Sequence, residues 1–283
     1  MYQAKRDGGN NFKFHDATLE LKLKERVTLE NLLRKALENN EFALHYQPKI
    51  ELSTNKVKGV EALLRWNSPE IGMVVPDQFI PIAEETGLII PIGEWVIETA
   101  CKQLKEWKDE GLTNLTVAVN LSIRQFFNPN LIGSIEKIIK ESGIDPYLLD
   151  LEITESMTMD VEIATKIIND LKRLGVKISI DDFGTGYSSI NYLKYFPVDY
   201  LKIDKSFITD VTNSVQNENV VNIILLMAQV LGFKVVAEGV GTMDQLTILK
   251  KLNCNEVQGY YFSKPLPNDR FKIFFEQFNK NKI

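Results

Sequence analysis

Seven apolar segments of this chain each carry an acid, an amide or a lysine where a buried strand would approach its end. Glu61 lies near the end of Val-Glu-Ala-Leu-Leu-Arg, Asn120 closes Val-Ala-Val-Asn, and Glu152 sits within Leu-Glu-Ile-Thr. Asp181 and Asp182 follow Lys-Ile-Ser-Ile, and Lys202 lies within Tyr-Leu-Lys-Ile-Asp. Glu238 ends Val-Val-Ala-Glu, and Gln258 lies in Val-Gln-Gly-Tyr. One such acid alone reads as a strand-end residue meeting solvent. Gathered in one cavity, the set poses a harder problem, because each uncompensated buried charge costs several kcal/mol. Either water solvates these acids or cations compensate them. A two-metal site satisfies the second condition, with one Asp bridging ions roughly 3.5–4 Å apart and the other acids completing the shells. Adjacent Asp181 and Asp182 suit that role if the strand ends there. Lys202, a lysine inside an apolar strand, needs a partner or a function. Arg65 can meet a phosphate with its planar fork or form an ion pair at the end of a barrel, and both readings stay open.

Composition narrows the metal. The chain has two histidines, His15 and His45, so a zinc or non-haem iron site built on several imidazoles is nearly excluded. Carboxylate and amide oxygens select hard ions such as Mg²⁺ or Mn²⁺. The two cysteines, Cys101 and Cys254, lack metal-ligand spacing and fit structural thiols in a reducing compartment. A formal charge of −5 argues against a nonspecific grip on polymeric nucleic acid but not against a small anion bound through metal ions. The segment Asp182-Phe183-Gly184-Thr185-Gly186-Tyr187-Ser188-Ser189 lacks the upstream motifs of a protein kinase and reads as a flexible lid beside the metal site. A plain βα turn also accounts for its glycines.

These residues need elements to hold them. From Phe42 onward, apolar runs suited to buried strands alternate with amphipathic helical segments. The strand candidates are Phe42–Ile50, Val57–Leu64, Leu115–Leu121, Leu149–Ile153, Val176–Ile180, Tyr200–Ile203, Lys234–Ala237 and Glu256–Tyr260. The clearest helices are Ile92–Asp109, Val161–Leu174 and Glu218–Leu231, stopped by Gly111, Gly175 and Gly232. The connector Ser53-Thr54-Asn55-Lys56 is too short for a crossover helix, so the first two strands should be antiparallel. The repeated βα units favour a closed α/β barrel with its working residues at the C-terminal strand ends. Residues 1–27 are polar and without sustained period, and folding begins more clearly at Thr28, a plausible N-cap. The start of the chain has no signal-peptide character, and the most apolar stretch, Gly87–Ile97, is short and interrupted by Pro91 and Glu94.

The motifs resemble those of the EAL family in order and in kind. Glu61-Ala62-Leu63-Leu64-Arg65-Trp66 matches its signature, and Tyr46-Gln47-Pro48, Phe79–Gly87, Asn120-Leu121-Ser122, Glu152–Ser156, Asp181–Ser189, Leu201–Asp204, Ala237–Val240 and Gln258-Gly259-Tyr260 match further motifs. The resemblance covers residue 28 to the C-terminus. It implies a modified (β/α)8 TIM-like barrel with an antiparallel first strand, which hydrolyses cyclic di-GMP to linear pGpG by in-line attack of a metal-activated water. It implies Mg²⁺ or Mn²⁺, two ions, with Glu61, Asn120, Glu152 and Asp181 at the first and Asp181, Asp182 and Glu238 at the second. Lys202 would position the water or stabilise phosphate charge, with Glu238 as general base. Gln47, Arg65 and Gln258 would contact substrate, and Glu155 would hold the Asp-Phe-Gly-Thr-Gly loop. A homodimer in the bacterial cytoplasm is implied too. Met1–Asn11 is similar to the closing segment of a GGDEF domain, which implies a longer GGDEF–EAL signalling protein that could itself be membrane-tethered. Two departures stand out. Gly241 replaces the family's usual Glu in Glu-Gly-Val-Glu-Thr, which implies weaker binding at the second ion, and Asn67 replaces a common histidine, which implies little. Gly241 also motivates an alternative, a silent cyclic di-GMP receptor. A barrel glycosidase would leave the paired Asp, Asn120 and Lys202 without roles.

Overall fold

Strands β1 (Phe42–Glu51) and β2 (Lys56–Ser68) form the expected antiparallel hairpin, with Gln47 opposite Glu61. Asn55 takes the left-handed conformation in its turn, at φ 51°, which Asn tolerates better than most residues. The computed structural model describes residues 17–185 and 193–280, with side chains from Lys24 onward. Met1–Asn11, and Gly186, Tyr187, Ser188 and Ser189 of the loop, lie outside the described residues.

After the hairpin every barrel strand but the last pairing is parallel. The strands are β4 (Thr116–Asn120), β5 (Leu149–Thr154), β6 (Lys177–Phe183), β7 (Tyr200–Ile203), β8 (Lys234–Ala237) and β9 (Glu256–Gln258). The barrel order is β1-β9-β8-β7-β6-β5-β4-β2, and the β1–β2 pairing closes it. Eight strands make the barrel, with β1 antiparallel to both neighbours, and the ninth, β3 (Gly72–Val74), hangs from the far end of β2. That appended strand was not foreseen: three residues carry too little pattern, and they pair because β2 runs on beyond its partnership with β4.

Parallel strands are covered on both faces, so they are apolar almost throughout. Val117, Val119, Leu149, Leu151, Ile153, Ile178, Ile180, Leu201 and Ile203 are all buried. The covering helices are α2 (Pro76–Thr86), α3 (Ile89–Asp109), the short α4 (Ile123–Phe126), α5 (Leu131–Ser142), α6 (Val161–Arg173), the short α7 (Lys205–Thr209), α8 (Val215–Leu231), α9 (Met243–Lys251) and α10 (Asn268–Lys280). Gly175 and Gly232, the anticipated stops of α6 and α8, take positive φ (89° and 82°), which a side chain would strain. α3 starts three residues before the expected Ile92: Pro91 falls in its first turn, where a missing N–H leaves no bond unmade.

The first helix, α1, spans Ala17–Ala36, so Thr28 is an interior residue and not an N-cap. Its hydroxyl donates to the Lys24 carbonyl at 2.9 Å. The run Leu-Glu-Leu-Lys-Leu-Lys-Glu-Arg before it consists of good helix formers, whose propensity favours helix upstream of Thr28. Leu33 and Ala36 are buried, and Leu29, Leu32 and Leu37 pack beside them. α1 also touches α2 through Arg26 and Glu85. Among the described residues, no helix is long and apolar enough to cross a membrane.

Candidate active site

The parallel register brings the polar strand ends onto one level. Asn120 lies opposite Glu152, Thr154 opposite Asp181, and Lys202 opposite Val236, one residue short of the Ile203–Ala237 pair that precedes Glu238. Side chains alternate along a strand, so inward positions from successive strands face one another across the barrel.

Lys202 is the centre of the site. It is 1% exposed, with Nζ 2.7 Å from Glu152 Oε2, 2.7 Å from Glu238 Oε1, 3.1 Å from Asp181 Oδ2 and 3.7 Å from Glu61 Oε2. Burial opposes its charge, but Glu152, Glu238, Glu61 and Asp181 outweigh that and hold the ammonium protonated far above the usual lysine range. Glu61 is oriented by two amides: Asn120 Nδ2 donates to Oε1 at 2.7 Å and Gln258 Nε2 to Oε2 at 2.6 Å. Gln258 Nε2 also donates to Gln47 Oε1 at 3.0 Å, and Gln47 Nε2 donates to the Ser263 carbonyl at 3.2 Å.

The acids are pulled in different directions. Burial pushes Glu152 well above the carboxylate range, reinforced by Glu61 and Asp181 and resisted by Lys202 and Lys49. Burial also presses Glu61 upward, but Lys202 and the Gln258 amide lead a set of interactions that holds it below its ordinary value. Glu238 is raised to about 7, by burial first and then by Asp181 and Glu61 against the pull of Lys202. Pairs of titratable groups driven apart in this way are how one site provides both a proton acceptor and fixed negative charge.

Asp182 stands at the margin. Its backbone is left-handed at φ 53°, its N–H donates to Asp181 Oδ1 at 2.9 Å, and its pKa is raised by burial and by the neighbouring Asp181 and Asp204. The β6–β7 register shifts between Ile180 and Phe183, the stretch that carries both aspartates. Glu155, buried in the turn after β5, accepts the Gly184 N–H at 2.9 Å and so ties the described part of the loop to β5. Arg65 donates to the Leu64 carbonyl at 2.8 Å and lines a cavity of about 620 Å³ with Asp77, Ile80, Glu84, Asn120, Thr154 and Asp182. Burial lowers its pKa, with Tyr260 and Glu61 opposing.

The strand-end residues Glu61, Asn120, Glu152, Asp181, Lys202, Glu238 and Gln258 are therefore brought together, with Gln47 joined through Gln258. Asp182 and Arg65 are adjacent, on the cavity wall. Sequence reasoning missed the layer beneath. Lys49, 3% exposed, lies 3.5 Å from Asp150 Oδ2 and 3.4 Å from Glu152 Oε1, and the Ser179 hydroxyl bonds Asp150 at 2.7 and 2.8 Å. Lys49 carries the same sequence signal as Lys202, a lysine inside a buried strand.

Among the described residues, no three Asp, Glu, His or Cys side chains form a finished metal cage, and the Lys202 ammonium stands among the acids. The donor chemistry nonetheless suits a hard divalent ion. Four carboxylates converge on one ammonium, and oxygen donors with surplus negative charge are what such ions require.

Comparison with known proteins places the chain. The EAL domain family matches residues 30–265, and this chain belongs to it. It is 42% identical over 275 residues to the signaling protein YkoW of Bacillus subtilis (strain 168), covering 97% of this chain and 34% of YkoW. It is 42% identical over 271 residues to MucR of Pseudomonas aeruginosa, a bifunctional diguanylate cyclase/cyclic di-GMP phosphodiesterase, covering 95% of this chain and 40% of MucR. The chain thus spans between a third and two fifths of the length of these relatives. The solved structure of the PaMucR phosphodiesterase in complex with c-di-GMP superposes with a TM-score of 0.84 at 43% identity, covering 86% of this chain and 99% of that one.

Proposed function

We propose that this chain is a divalent-metal-dependent phosphodiesterase that hydrolyses cyclic di-GMP to linear pGpG. The observation that carries the reading is the Lys202 cluster: one buried ammonium shared by four carboxylates at the C-terminal mouth of an EAL barrel, beside a cavity with an arginine on its wall. C-terminal strand ends are where barrels of this class do chemistry.

Glu61, Asn120, Glu152 and Asp181 would hold one ion, Mg²⁺ or Mn²⁺, and Asp181, Asp182 and Glu238 a second. Such ions lend Lewis-acid stabilisation to phosphate oxygens and make water more acidic. The chain's own groups do the rest. Glu238 engages Lys202 through Oε1, and its carboxylate would take the proton that the attacking water gives up. Lys202 keeps its protons and offers them to charge that develops on the phosphate during in-line attack. Arg65 grips a second phosphate with its fork, while Gln47 and Gln258 shape the floor. Glu155 holds the loop through Gly184, so that Asp182 stays at the rim. Residues 28–283 form the EAL unit of a longer cytoplasmic GGDEF–EAL protein that works as a homodimer, a reading supported by family resemblance.

The test is a hydrolysis assay on purified protein with Mg²⁺, with Mn²⁺ and with chelator, repeated for Glu61→Ala. Metal-dependent pGpG formation, lost in the variant, is expected. No turnover by folded protein at high enzyme and metal would overturn the reading. Gly241 favours a second reading, a receptor that binds the cyclic dinucleotide without cutting it. Tight binding without product would establish that one instead.

A further inference from the structure

Glu152 is gripped at both oxygens by two lysines from different strands. Lys202, on β7, holds Oε2 at 2.7 Å, and Lys49, on β1, holds Oε1 from beneath at 3.4 Å. Lys49 is itself anchored by Asp150, 3.5 Å away, which shares the inward face of β5 with Glu152 and is fixed by the Ser179 hydroxyl. At 3% exposure Lys49 is out of reach of any substrate, and it is not part of the cavity wall beside Arg65. The β1–β2 register shifts between Lys49 and Ile50, an irregularity of the kind that re-aims a side chain next to a working site.

Stability does not account for this arrangement. Replacing a buried ion pair with apolar or neutral residues of similar size is often neutral or stabilising, by about 1–4 kcal/mol. Orientation does account for it. The terminal torsion of a glutamate is broad and roughly two-fold, so a carboxylate with one anchor swings about that bond. A second anchor on the other oxygen sets its plane.

We propose that Lys49 is a positioning residue for the phosphodiesterase reaction: it sets the plane of the Glu152 carboxylate and thereby directs Oε2 to the reacting centre. This rests on the function proposed above. Outer partners of metal ligands act in this way, and losing one typically weakens metal affinity or activity about 10–100-fold.

The decisive variant is Lys49→Met/Asp150→Asn, which removes one charge of each sign and so leaves the net charge of the barrel interior unchanged. Three readouts apply: the crystal structure, Mn²⁺ binding by calorimetry without nucleotide, and kcat and KM for cyclic di-GMP. Expected are a rotated Glu152 carboxylate, Mn²⁺ affinity lower by about tenfold or more, and a reduced kcat at nearly constant KM. Wild-type Glu152 orientation with unchanged Mn²⁺ affinity would show that Lys49 only neutralises Asp150, and would overturn the proposal. Should the pair fail to fold, Lys49→Arg keeps the charge and moves the donors. A fall in Mn²⁺ affinity supports positioning there, and wild-type affinity overturns it. Wild-type protein inactive on cyclic di-GMP would sink the phosphodiesterase reading, while the Glu152 plane would still decide the role of Lys49.

Discussion

Lys202→Met is the sharpest perturbation of this barrel. Methionine is of similar length and fits the same channel, so the change removes charge with little change in volume. At an effective dielectric constant of about 20, each 2.7 Å contact, to Glu152 and to Glu238, represents about 6 kcal/mol of gross attraction. Most of that is offset by desolvation of the ammonium and by repulsion among the four acids it gathers. What remains is the penalty for stranding charge, about 3–5 kcal/mol when one partner of a buried pair is removed. For a chain of this size that lowers the melting temperature by roughly 10 °C. The variant should also acquire a steeper pH dependence. Its stranded carboxylates have raised folded-state pKa values, so stability is fullest below the unfolded carboxylate range and falls as pH climbs through the raised values. Thermal unfolding between pH 5 and 8, followed by circular dichroism, measures both effects. A melting temperature within about 2 °C of wild type, with a parallel pH profile, would refute the claim that Lys202 is the charge balance of the site. On the proposed function, Mg²⁺ should restore part of the loss, because it would compensate the same acids.

Three further outcomes are expected. In metal-free protein, carboxyl NMR should show Glu238 titrating near 7, so its contribution to stability is lost as pH rises from the ordinary carboxylate range to about 7; divalent metal should pull that titration down, and an unshifted curve would argue against Glu238 as a ligand. Gly241→Glu should be tolerated, because a Cβ there meets its nearest atoms at 3.8 and 3.9 Å, and calorimetry should find Mn²⁺ bound about tenfold more tightly; unchanged affinity would mean that position 241 does not serve the second ion. Gly259→Ala should destabilise by about 3 kcal/mol or more in denaturant titration, because its Cβ would lie 2.1 Å from the Val240 carbonyl oxygen and 2.4 Å from the Val240 nitrogen; a near-neutral effect would show that this β8–β9 junction can yield.

Much of this molecule could be read locally. An acid or lysine inside an apolar run is conspicuous because burying it is costly, and Glu61, Glu152, Lys202 and Glu238 all meet in the barrel mouth for that reason. Strand positions and the antiparallel opening followed from period and from a connector too short for a helix. The helix ends at Gly175 and Gly232 followed from backbone sterics alone. Where boundaries moved, the local signal was weak or the deciding contact distant: α1 extends upstream of Thr28 through residues with helix propensity, and β3 exists because β2 outruns the barrel.

Partnerships were another matter. Gln258 reaches Glu61 across 197 residues, and Lys49 reaches Glu152 across 103. Such pairings depend on how closure of the barrel sets the register of each strand against the next, a collective property that no local pattern carries. The chain by itself therefore determined which residues would be costly to bury and that they would face one cavity. Only the tertiary structure decided which carboxylate each lysine holds, that Glu152 is held from both sides, and that Asp182 stands at the rim while Asp181 faces Lys202. Those choices follow from register and from one left-handed turn, and they set how strongly Glu152 and Glu238 hold their protons.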